Sequence, residues 1–277
     1  MRFDGHVHTP FCPHGSSDTL NEYAERALSL GYSGITFTEH APLPYGFTDP
    51  VPESDSAMKR EDLPRYFQAL KEIKQEFKGR LQIFTGLEVD FIEGFEKETD
   101  AFLTDVQDYL DDAILSVHFL QHKGKYWCMD YSEDLFGEMA SVFGSVDDIY
   151  AAYYKTVKDS VQFRFSSFQP RRIGHITLAR KFHKRYPAQR TFAEDILFIL
   201  EEIKARDYQL DYNGAGTVKP NCQEPYPSDW VVQEAAKRKI PLVYGSDAHT
   251  AAGLHQGFSE LLYRDKLASP FFLDGAE

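Results

Sequence analysis

The sequence predicts an α/β barrel of about seven strand-helix units. Three observations carry that prediction. Short apolar runs alternate along the chain with longer amphipathic segments. Several runs are apolar on both faces, as strands buried inside a parallel sheet must be. Finally, side chains of metal-ligand type stand at the ends of nearly every run, and only a closed barrel brings all those ends around one axis.

The strand candidates are residues 2–7, 34–38, 81–89, 112–117, 172–176, 209–212 and 241–244, rich in Ile, Val, Phe and Tyr. Helix candidates lie between them. Residues 19–30 begin after an Asp18 or Thr19 cap and end at Gly31, while 63–77 stop at Lys78-Gly79. Residues 95–110, 146–163, 192–206 and 230–239 follow, and a last helix is expected over 257–267. Segments 41–57, with four prolines, and 121–145, rich in Gly, Tyr, Trp and charge, read as loops on the ligand-bearing face. No glycine-rich phosphate loop follows any strand, which argues against the nucleotide-binding folds. No linker divides the chain, so residues 1–277 read as one domain.

The bulk numbers narrow the function classes. Hydrophobic residues make up 42% of 277 residues, enough for a sizeable core. A formal net charge of −13 repels phosphate backbones and disfavours a nucleic-acid partner. No apolar run is long enough to span a bilayer, and the start MRFDGHVH has no signal-peptide character, so a cytoplasmic location without membrane association is expected. Cys12, Cys128 and Cys222 form no CxxC pair, which argues against a disulfide framework. Cys12 lies in the loop between His8 and His14. It reads as a reduced loop thiol, with contact to a metal as the alternative. No exposed apolar stripe can be separated from barrel-covering helix faces, so the sequence sets no oligomeric state.

The histidines are the most informative residues. His6 and His8 end the first run, two apart and on one face of a strand. His14 follows in the loop. His40 ends the second run, Glu88 the third, His118 the fourth and His175 the fifth, and Asp247 and His249 follow the last. A single His at a strand end says little. A buried carboxylate in Leu87-Glu88-Val89 says more, because an unpaired one is costly. Six of the seven runs ending in such residues make a polynuclear centre the expected reading, since nine ligands exceed what one tetrahedral zinc needs. His122, His183 and His255 hold no equivalent place and read as surface or supporting groups.

These motifs, DGHVHTPFCPHG, GITFTEH, TGLEVDF, SVHF, GHI and GSDAH, resemble those of the PHP (polymerase and histidinol phosphatase) superfamily, in order along nearly the whole chain. The resemblance is narrowest to its monofunctional histidinol-phosphate phosphatases. It implies a distorted (β/α)7 TIM-like barrel with a trinuclear metal centre at the C-terminal ends of the strands. It also implies how the ligands divide. His6, His8, Glu88 and Asp247 would hold one ion, Glu88 would bridge to a second completed by His118 and His175, and His14, His40 and His249 would hold a third. Ligands of this mix accept zinc, iron or manganese.

The implied activity is metal-dependent hydrolysis of L-histidinol phosphate to L-histidinol and phosphate, a step of histidine biosynthesis. Clustered ions suit in-line attack of water on phosphorus, with Asp247 or His249 assisting proton transfer. Arg180, five residues after His175, is the candidate phosphate ligand; Lys219 is a weaker one. Asn213 reads as capping the turn before Gly214, or as a substrate contact. Glu39, Tyr45, Phe47, Tyr126, Trp127 and Asp130 are candidates for the substrate's ammonium and imidazole ends. Two alternatives stand beside this reading: a phosphoesterase or nuclease of the same superfamily with another substrate, and a non-enzymatic metal-binding regulatory module.

Overall fold

A computed structural model describes residues 2–271. Nine strands are present among them: β1 (Phe3–Val7), β2 (Gly34–His40), β3 (Gln82–Asp90), β4 (Asp112–Ser116), β5 (Phe119–His122), β6 (Lys125–Cys128), β7 (Arg172–Ile173), β8 (Gln209–Asn213) and β9 (Leu242–Gly245). Seven of them form one parallel sheet in the order β1-β2-β3-β4-β7-β8-β9. The last strand returns to the first through a parallel bridge between Val7 and Ala248. Two hydrogen bonds make that seam: the Asp247 N–H donates to His6 O at 2.7 Å and the His8 N–H to Ala248 O at 3.0 Å. The sheet therefore curls into a nearly closed barrel, and the two bonds that close it join residues 6–8 to residues 247–248. No helix is long and apolar enough to cross a membrane among the described residues.

The helices α1 (Leu20–Ser29), α2 (Leu63–Glu76), α3 (Glu96–Val106), α4 (Glu133–Phe143), α5 (Val146–Gln162), α6 (Ala193–Ala205) and α7 (Asp229–Lys237) accompany the strands. Local chemistry sets several of their ends. Thr19 and Glu22 form a reciprocal capping box at the start of α1, and Ser132 and Ser145 cap α4 and α5. Past α1, Gly31 has φ +75°, a conformation that costs glycine little. The helices bury Tyr23, Leu70, Phe102, Tyr153, Ile196, Ile199 and Val231 in one apolar cluster with strand side chains such as Ile35, Leu87 and Leu210.

Three expectations need correction. Residues 121–145 are not a plain loop: they hold most of the β5–β6 antiparallel hairpin and all of α4. Lys123 and Gly124 turn that hairpin with φ +49° and +78°, the left-handed pair that matches strand twist. Residues 257–267 form no α-helix but two 3-10 turns, Phe258–Glu260 and Arg264–Lys266. Gly257 takes φ +69° against Gly214, and Leu261 and Leu267 are extended, which interrupts any helix. The fifth run is shortened to two paired residues in β7.

A buried ion pair lies near the N-terminal ends of the strands. Arg172, 1% exposed, donates from Nη2 to Asp112 Oδ2 at 2.5 Å. Glycine at position 5 leaves room for it, since a Cβ there would sit 2.0 Å from Arg172 Nη1. Burial pushes the Asp112 carboxyl up to about 6 against the pull of Arg172. Arg172→Ala is expected to cost about 3–5 kcal/mol in urea unfolding, because it strands a buried carboxylate. The double variant Arg172→Leu, Asp112→Leu should recover most of that loss.

Candidate metal centre

The nine residues converge. Seven of them, all but the fully buried His6 and His8, line one cavity of about 500 Å³ at the C-terminal ends of the strands. Glu88, at the end of β3 and 1% exposed, is its centre. Its two oxygens face opposite ways. Oε2 lies 3.3 Å from His6 Nε2, 3.5 Å from His8 Nε2 and 3.2 Å from His40 Nδ1. Oε1 lies 2.9 Å from His175 Nε2 and 3.8 Å from His118 Nε2, and accepts a 2.6 Å hydrogen bond from Ser116 Oγ. Burial opposes ionisation of Glu88, but the imidazoles of His6 and His40 outweigh it and hold the carboxyl well below its usual range.

Asp247 sits in the left-handed region at φ +54°, which aspartate tolerates better than most residues. Its Oδ1 lies 3.1 Å from His8 Nε2, and its Oδ2 accepts from Asn213 Nδ2 at 3.2 Å. Asn213 also accepts the Ala215 N–H at 2.9 Å, so it caps the turn and holds Asp247 at once.

Most rings are aimed from behind by an acceptor on Nδ1. His6 donates to Asp211 at 2.9 Å, His8 to Glu39 at 3.2 Å and His118 to Asp90 at 2.8 Å. His14 donates to the Asp55 carbonyl at 2.8 Å, from the proline-rich 41–57 segment, and His249 to the Asp247 carbonyl at 3.0 Å. A carboxylate or carbonyl can only accept, so these contacts fix the tautomer and leave Nε2 as the free lone pair. Gly245 makes room for this support: a Cβ there would come 2.3 Å from Asp211 Oδ1 and 2.6 Å from His6 Cβ.

The donor set fits divalent ions. His6 Nε2 and His40 Nδ1 are buried, lie beside the same Glu88 oxygen, and complete no hydrogen bond. Three sets of ligand atoms each lie within 4.8 Å of one another: His6, His8 and Asp247; Glu88, His118 and His175; and His8, Cys12, His40 and His249. His14 is the exposed outlier, its ring 5.2 Å from that of His40 and 5.1 Å from that of His249.

Several assignments change. Arg180 does not line this cavity. Its guanidinium is paired with Glu224 and borders a separate hollow beside Tyr150 and Phe192. The next residue, Lys181, does line the metal cavity, as does Lys219. Lys181 Nζ donates to Asp130 Oδ2 at 2.9 Å and to Asp130 O at 2.6 Å. Burial works against the charges of this pair, but each partner outweighs it for the other, so Asp130 titrates below its ordinary value and Lys181 above. Glu39 is wholly buried behind His8 and Thr9, not open to substrate. Tyr45 is 72% exposed, Phe47 and Tyr126 pack together, and of the six side-loop candidates Asp130 alone lines the cavity. His122 stacks on Phe143, His183 bonds the Cys222 carbonyl and His255 meets Tyr32 Oη.

The family model of the PHP domain matches residues 4–215. The chain belongs to the PHP domain family. It is 46% identical to the histidinol-phosphatase of Bacillus subtilis strain 168 over 265 residues, 94% of this chain and 98% of that one. Its fold matches a solved protein of Listeria monocytogenes, provisionally named a histidinol phosphatase, with TM-score 0.90, 36% identity, and coverage of 94% of this chain and 99% of that one. It also matches histidinol phosphate phosphatase of Lactococcus lactis, solved with zinc, L-histidinol and phosphate, with TM-score 0.66, 23% identity, and coverage of 90% and 87%.

Asp90→Asn and Asp211→Asn should each weaken metal binding by about 10–100-fold, measured by competition with a chromophoric chelator. Gly245→Ala should do the same by displacing Asp211 and His6.

Proposed function

We propose that this protein is a metal-dependent phosphomonoesterase that hydrolyses L-histidinol phosphate to L-histidinol and phosphate, in histidine biosynthesis. The observation that carries the reading is a buried carboxylate, Glu88, set between two groups of imidazoles in a chain 46% identical, over 94% of its length, to a histidinol-phosphatase. Residues 1–277 act as one domain, and the three unpaired cysteines are in keeping with a reducing cytoplasm.

Three ions are proposed. His6, His8, Glu88 and Asp247 would hold the first, Glu88, His118 and His175 the second, and His14, His40 and His249 the third; zinc, iron and manganese all suit these ligands. When bound, such ions supply positive charge to the phosphoryl oxygens and acidify water.

The remaining work falls to the protein. Lys181, held charged by Asp130, stands on the cavity wall where it can exchange part of that contact for a phosphoryl oxygen. Lys219, in the segment after the neighbouring strand β8, lines the same cavity. These lysines take the part first given to Arg180. Asp247 and His249 both stand at the cavity wall as proton carriers, their side chains 20% and 29% exposed, and each would also serve an ion. Asn213 holds the Asp247 carboxylate in place through its 3.2 Å hydrogen bond. Asp130 and Asp55 leave acidic groups at the cavity for a cationic alcohol.

Release of phosphate from histidinol phosphate, measured against a panel of phosphomonoesters, should give the highest kcat/KM for histidinol phosphate; equal rates across the panel would contradict the substrate. Glu88→Gln should abolish turnover and lower bound metal while circular dichroism stays unchanged. Lys181→Ala should lower kcat/KM by about 10²-fold or more, through loss of a charged phosphate contact.

A further inference from the structure

Cys12 is buried yet belongs to neither apolar cluster of the fold, unlike Cys222 and Cys128, which pack into them. Its sulfur instead joins the ligand atoms of His8, His40 and His249, all mutually within 4.8 Å. His40, one of these ligands, is 8% exposed, and its Nδ1, 3.2 Å from Glu88 Oε2, is buried without completing a hydrogen bond.

We propose that Cys12 is a ligand of the third ion, alongside His14, His40 and His249. This rests on the three-ion reading above. It gives that ion one soft sulfur donor and three imidazoles, while the other two ions have only nitrogen and oxygen. On binding, the thiol gives its proton to solvent and the sulfur donates an electron pair to the ion, with no change of oxidation state. The consequence is a difference between sites. The third should prefer zinc, iron(II) or cobalt(II) over manganese(II), because a thiolate favours the softer ions.

Cobalt(II) tests the assignment, since only a cobalt-bound thiolate gives an intense sulfur-to-metal charge-transfer band in the near ultraviolet. Metal-free full-length protein is titrated with cobalt and the bound metal counted. The expected result is three ions per chain, with the band growing in for one of them. Cys12→Ser should lose the band and keep the visible bands of the other two ions, while Cys128→Ser keeps it. Three bound ions with no band in the native protein would overturn the role of Cys12 and leave the three-ion centre standing. Binding that stops at two ions without a band would overturn both. A band that survives in Cys12→Ser would also overturn the proposal. Because the native protein alone decides the first two cases, poor folding of a variant does not obscure the outcome.

Discussion

The constraint on which this structure turns is the burial of the Glu88 carboxylate among imidazoles. A lone carboxylate at that depth would be severely destabilising. Here its two oxygens are shared between rings from β1 and β2 on one side and from the segments after β4 and β7 on the other. That arrangement needs four different strand ends to meet at a point a few ångströms across. Only a parallel barrel delivers them there with the same polarity. The fold and the centre are therefore not separable: the ligands occupy the positions where closure places strand ends.

Around that core the protein uses a second set of acids for a different purpose. Asp90, which also lines the cavity, and the buried Asp211 and Glu39 hold the rings of His118, His6 and His8 from behind. Rigid orientation matters because a rotated imidazole offers its proton where a lone pair is wanted. The same economy appears at Asn213, which ends one strand, caps its turn and steadies Asp247 in a single side chain.

Much of this was legible in the sequence. The seven barrel strands follow from runs apolar on both faces, and the nine candidate ligands, which the fold brings together, stand out by their coincidence at strand ends. What escaped had physical reasons. The β5–β6 hairpin carries too much charge and aromatic character to read as strand, although Lys123-Gly124 is a turn signal. The final segment has helical composition, but Gly257 must fit against Gly214 and so leaves the helical region. The choice between Arg180 and Lys181 depends on the direction of a single 3-10 turn, Leu178–Phe182, whose neighbours point to different cavities. Sequence spacing places both near His175 and cannot separate them. The supporting acids were visible as charges inside GITFTEH, LEVD and QLDYN; what the pattern lacked was any way to tell a ligand from the residue that steers it.

The seam between β1 and β9 has a consequence for how the molecule comes together. It consists of one bridge and two backbone hydrogen bonds, and His6, His8, Asp247 and His249 are strung along it on both edges. An ion held by His6, His8 and Asp247 would span the same gap from the inside and would fasten β1 to β9 alongside the backbone bonds. Asp247 and His249 follow β9, so the candidate ligands are gathered only once that strand has docked against β1.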